Sequence, residues 1–149
     1  MKSSDMPIEN ITLSKDKAKE YSISYQVQSS WVPTPELEFY ASWNDNSSVK
    51  YRKIRLGEET KGELDVFTSI YFKKIFNWID FKEMEKFKDT ENLIIDGTSC
   101  FLTVRKDNEL YDASWTMGAI RSKYISDLYR MIRVCRKKNH TAPPVMHIE

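Results

Sequence analysis

Residues that carry chemistry are scarce in this chain. Its 149 residues include two cysteines, two histidines and four glycines. Cys100 and Cys135 form no close pair, which excludes a disulfide framework or a zinc ribbon. One falls in an expected strand and the other on an expected apolar helix stripe, so both read as buried small hydrophobes. His140 and His147 lie in the last ten residues, an expected tail, whereas a histidine base or metal ligand needs a ring held in place. Ser-His-Asp, Cys-His and H-E-x-x-H arrangements are therefore excluded. Gly57, Gly62, Gly97 and Gly118 make neither G-x-G-x-x-G nor G-x-x-x-x-G-K-[ST], so no phosphate loop is legible. No apolar run exceeds three residues, against the roughly 20 that a membrane span needs. Met1 to Asn10 carry one cation and no apolar stretch of the kind a secretory leader has. The expectations are no metal, nucleotide or other cofactor, no membrane partner, and a cytoplasmic location.

What is present is the material of a core. Hydrophobic residues make up 40% and charged residues 30%, a globular composition, and the length suits one domain. Four Trp, eight Tyr and seven Phe can each bury roughly 150–250 Å². Charge is nearly balanced, 23 cations against 22 acids, but residues 119–149 hold seven cations and two acids. The excess therefore belongs to one face near the C-terminus.

Tyr21, Ile23, Tyr25 and Val27 alternate with Ser22, Ser24, Gln26 and Gln28, the period of a half-buried strand. Beyond Pro33 and Pro35, Leu37, Phe39, Ala41 and Trp43 repeat it. Asn44-Asp45-Asn46-Ser47 supplies a turn, and Val49 to Leu56 a third strand. Its apolar positions switch from odd to even between Tyr51 and Ile54, for which a bulge near Arg52 is expected. Residues 57–62 read as a loop. A helix is expected over 63–79, with Leu64, Phe67, Tyr71, Ile75, Trp78 and Ile79 on its apolar stripe and Glu58, Glu59, Glu63 and Asp65 at its positive end. Residues 81–91 read as a helical turn or a loop.

Leu93-Ile94-Ile95 then reads as a short strand, Asp96-Gly97 as a hairpin turn and 98–106 as the returning strand. Asp107-Asn108 turns the chain into 110–116. A second helix over 119–138 gathers Ile120, Tyr124, Ile125, Leu128, Met131, Ile132 and Cys135 on one stripe, and Pro143 and Pro144 lie beyond it. The expected class is α+β: an antiparallel sheet of about six strands, in the order β-β-β-α-β-β-β-α, with two helices packed on one face. Residues 1–20 form an arm, 21–139 the domain and 140–149 a tail.

Three sets of residues are candidates for function. The acidic pairs Glu36 with Glu38, Glu58 with Glu59, and Asp107 with Asp112 have the chemistry for hydrolysis without histidine, although each sits where a turn or helix start already explains it. Lys50, Arg52, Lys53 and Arg55 crowd the third strand, while Lys123, Arg130, Arg133 and Lys137 share the outer face of the last helix. Edge protection and a solvated helix face account for both sets; a basic patch for an acidic protein or for nucleic acid is the functional alternative. The sequence pI of about 7.7 is low for a nucleic-acid binder. Phe72 and Phe76 fall off the centre of the first helix's stripe and are candidate contact residues: Phe72 alternatively widens the core face, and Phe76 is either covered by 81–91 or exposed as a contact site.

Asp96-Gly97-Thr98, the strands that follow, Trp115 and the helix from Ile120 together resemble a pattern of small bacterial proteins of unassigned function. This chain has Thr116-Met117 where that pattern has Ser-Pro after the Trp. What the resemblance implies is architecture, since the pattern has no catalytic residue to transfer. In size and in lack of chemistry the chain is also similar to contact-dependent toxin immunity proteins. The expected function is a non-enzymatic protein-binding module, most concretely a bacterial toxin-immunity or inhibitor protein. The alternatives are a nucleic-acid binder using the basic strand and C-terminal helix, and a carboxylate-based hydrolase.

Overall fold

A computed structural model describes residues 19–87 and 97–137. The strands are β1 (Glu20–Ser29), β2 (Leu37–Asn44), β3 (Lys50–Arg55), β4 (Glu58–Glu63), β5 (Thr98–Lys106) and β6 (Glu109–Thr116). The helices are α1 (Val66–Trp78), the short α2 (Phe81–Met84) and α3 (Lys123–Val134). All six strands join one antiparallel sheet in the order β4-β3-β2-β1-β5-β6, so the class is α+β. The helices cover one face, where the odd residues of β1 and β2 are buried with Cys100, Leu102, Val104 and Trp115. Among the described residues no helix is long and apolar enough to cross a membrane.

The order of elements differs from expectation at one place. Residues 58–63 form a strand, not a loop, paired with β3 from Arg55–Glu58 to Lys50–Glu63. The turn between them is Leu56-Gly57, with φ of 50° and 86°, the two-residue hairpin geometry that matches strand twist. A leucine in that conformation costs roughly 1–2 kcal/mol and gives no turn signal. Asp107-Asn108, with φ of 54° and 68°, makes the same turn between β5 and β6 from residues that advertise it. The expected strand 93–95 with Asp96, and both histidines, lie outside the described residues.

Arg52 has no bulge, because β3 pairs residue for residue with both neighbours. Lys53 takes the core-side position instead and reaches past it: its Nζ donates to the Ile132 carbonyl at 3.4 Å, in the last turn of α3. A cation there meets the negative end of the helix. Ile54 is left half-buried on the opposite face.

Helix α1 starts later than expected because Glu63 is still in the sheet. Asp65 caps it, its Oδ1 accepting the Thr68 N–H at 2.7 Å. Buried Ser69 ties the helix to β3: its Oγ accepts the Val49 N–H at 3.0 Å and donates to the Leu64 carbonyl at 3.3 Å. The buried side of α1 is Ser69, Phe72, Ile75 and Phe76; of the expected stripe Leu64, Ile75 and Ile79 are buried, while Phe67, Tyr71 and Trp78 are exposed. Phe76 packs edge-on against Trp43 with centroids 4.7 Å apart, and also meets Tyr21 and Phe81. Phe72 takes the other edge of Trp43, at 5.3 Å. The cause of the misassignment is that α1 is apolar around most of its circumference, so periodicity alone selects no face.

Helix α3 begins at Lys123 behind the cap Ser122 and buries Leu128, Met131 and Ile132. It is shorter than expected at both ends, with Ile120 outside the helix yet packed on the core. Its Tyr129 hydroxyl meets that of Tyr25 at 2.8 Å, and Tyr25 stacks on Trp115. At the β6 edge of the sheet, the Asp112 N–H donates to the Glu85 carboxylate at 3.1 Å.

The two sides of α1 separate in a stability measurement. Phe76→Ala should cost about 3–5 kcal/mol in denaturant unfolding, whereas Phe67→Ala should stay within about 0.5 kcal/mol. Equal losses would mean that the helix is rotated from the orientation described.

Candidate functional site

The acidic pairs do not converge. Glu58 and Glu59 are consecutive in β4 and so point to opposite faces. Glu59 is ion-paired with Arg52, whose hydrogen bond holds the Glu59 carboxyl below its ordinary value. Glu36 is fixed by its backbone, donating to the Val27 carbonyl and accepting from the Leu56 N–H, and Glu38 is exposed in β2. Asp107 sits in a turn, 3.8 Å from Lys19, while Asp112 accepts from Thr103 Oγ1 at 2.9 Å. Among the described residues no three His, Cys, Asp or Glu side chains gather into a metal-ligating group. Cys100 and Cys135 are buried and in no disulfide, and burial pushes the Cys135 thiol up to about 12.

The basic strand is divided by its own pleat. Lys50 and Arg52 project from the helix-free face, and Lys53 turns toward α3. Arg55 is exposed at the strand end. Beta-strand β4 sets acids beside these cations, with Glu63 opposite Lys50 and Glu58 opposite Arg55. Much of the positive field is thereby cancelled locally.

On α3, Lys123 and Arg133 are exposed, as is Lys137 beyond the helix end. Arg130 is half-buried and ion-paired with Asp127 at 3.5 Å. Phe72 and Phe76 are fully buried and leave the set of candidate contact residues. Their place is taken by side chains on the other side of α1, of which the sequence reading had assigned Phe67, Tyr71 and Trp78 to the core. Phe67 is 83% exposed and Trp78 52%, and Val66, Ile70 and Tyr71 are exposed with them. At about 150–250 Å² per ring, this face offers on the order of 500 Å² of apolar surface, near the top of the roughly 300–600 Å² range for a monomer's largest patch. The signal in the sequence was quantity: α1 holds more large apolar residues than one face can bury.

Helices α1 and α3 pack against one another, so the apolar face and the basic face belong to the same helical layer. The segment Val66–Trp78 contains Lys73 and Lys74 and no acid. Lys73 is committed to structure, donating to the Ser47 carbonyl at 2.6 Å and the Asn44 carbonyl at 3.3 Å. No protein-family model, no curated protein and no solved structure matches the chain.

The thiols provide a check on this inventory. With a thiol near 12, only about one Cys135 in ten thousand is a thiolate at pH 8. Ellman's reagent should find no reactive cysteine in the native protein and two after unfolding. Rapid labelling of the native protein would place a thiol at the surface.

Proposed function

We propose that this chain is a non-catalytic protein-binding module whose partner docks on the helical layer. Apolar side chains of the partner would seat on α1, and its carboxylates would face the cations of α3. One observation carries the reading: five large apolar side chains are exposed together on one helix face. A face this apolar is ordinarily covered, and among the described residues only the opposite side of α1 is covered. A standard interface takes about 800 Å² from each partner, so the α1 face would supply most of it. Exposed Trp and Tyr are the residues on which binding energy concentrates. The absence of acids from α1 and the cations of α3 favour an acidic surround on the partner. An inhibitor of a bacterial toxin is the most concrete form of such a module.

The test uses the protein encoded beside this chain's gene, expressed and titrated against it. Phe67→Glu with Trp78→Ala should weaken binding by about 30-fold or more, as loss of an aromatic anchor does. Arg130→Glu with Arg133→Glu should act mainly on the association rate and steepen with falling salt. Binding that ignores the first pair would remove α1 from the interface. A micromolar dimer dispersed by Phe67→Glu would assign the face to a second copy instead.

A further inference from the structure

We infer that the face of the sheet opposite the described helices carries a recognition cleft for a small phosphorylated ligand, with Arg105 and Lys50 as the phosphate-binding cations. Ser22 lies opposite Arg105 of β5 and opposite Ser42 of β2, and Ser42 lies opposite Lys50 of β3. Residues directly opposite share a face, and here it is the one that buried Ile23 and Tyr25 turn away from. Arg105, Ser22, Ser42 and Lys50 therefore form one transverse row over four strands, which Glu63 of β4 closes on the outer side of Lys50. At about 4.8 Å per strand the two cations start about 14 Å apart, with two hydroxyls between them. Both side chains are long enough to lean inward over that span. The adjoining row brings Tyr40, 49% exposed, beside Ser24.

Arg105, Ser22, Ser42, Lys50 and Tyr40 line a cleft of about 360 Å³, inside the roughly 300–1,000 Å³ range of small-molecule sites. Two features separate this row from ordinary surface charge. Other cations nearby are committed: Arg52 to Glu59 and Lys19 to Asp107. Among the described residues, Lys50 and Arg105 have no ion pair, and the Ser22, Ser42 and Tyr40 hydroxyls have no side-chain hydrogen bond. Donors of one sign thus converge on one cleft with their hydrogen-bonding capacity unspent. Phosphate answers that arrangement, because it accepts several charge-assisted bonds at once. Glu20 is the one carboxylate lining the cleft, and it lies at the end away from Tyr40. A ring stacked on Tyr40 with its phosphate over the cation row avoids that acid.

The experiment is an amide NMR titration at constant ionic strength, with inorganic phosphate in one arm and adenosine monophosphate in the other. Saturable shifts should centre on Ser22, Ser42, Lys50 and Arg105. Lys50→Ala with Arg105→Ala, both exposed positions that leave the fold intact, should weaken binding at least about tenfold. Glu20→Gln should tighten it about twofold or more by removing a like charge. Tighter binding of the nucleotide that Tyr40→Ala abolishes would name a nucleoside phosphate as the ligand; equal affinity in the two arms would name a phosphate without a stacking ring. No saturation up to about 10 mM, or shifts of equal size around Lys123 and Arg133, would overturn the inference. The double variant binding like the wild type would do so as well.

Discussion

The structure depends on what β1 must do with alternate residues. It pairs on both sides, with β2 and with β5, so it joins the meander β1–β4 to the hairpin β5–β6. Its odd side chains face the helices, and two of them are tyrosines that seed separate aromatic groups. Tyr21 stacks on Trp43 at 5.8 Å and meets Phe76 at 6.1 Å, which fixes α1. Tyr25 stacks on Trp115 at 6.0 Å and meets Tyr129 at 5.9 Å, which fixes α3. A one-residue slip of β1 would exchange these rings for serines and glutamines. Register here is held by burial on a single face.

That dependence explains what was legible in the sequence. Strands β1 and β2 alternate cleanly because one face is buried and the other is wet, whereas β5 and β6, with Phe101 and Leu110 exposed, were legible from the turn signals beside them. Strand β4, with the sequence EETKGE, buries no side chain, and a strand held by ladder hydrogen bonds and ion pairing leaves no hydropathy trace. Helix α3 is polar on one side, so its stripe could be read directly. Helix α1 is not, and its orientation was settled by Trp43, a residue of another strand. The bulge expected at Arg52 failed for a related reason: a lysine can occupy a core-side position when a helix C-terminus waits at its tip. The phosphate cleft is farthest from legibility. Its row joins residues 22, 42, 50 and 105, which only the sheet brings together.

The two faces of the molecule are chemically distinct. The helical side presents rings and cations over a dry core, suited to a large partner that displaces water from a broad area. The sheet side presents hydroxyls, amides and two uncommitted cations around a small concavity, suited to a ligand that satisfies them one by one. The sheet between them is one layer thick, and β1 supplies side chains to both. Occupancy of one face thus bears on the strand that orders the other.

The capped edge has a consequence for how this protein tolerates its own concentration. An open sheet has two rims, and each is a template on which another chain can crystallise as a further strand. On the β4 rim that template is a charged hexapeptide with a glycine in it. On the β6 rim, the carboxylate of Glu85 already occupies an outward N–H. Both routes to ribbon-like polymerisation are thus obstructed, one by electrostatics and hydration and the other by a side chain standing in for a neighbour. Among the described residues no element covers one side of this six-stranded sheet, and obstruction at the two rims leaves that side open to a ligand without inviting strand addition.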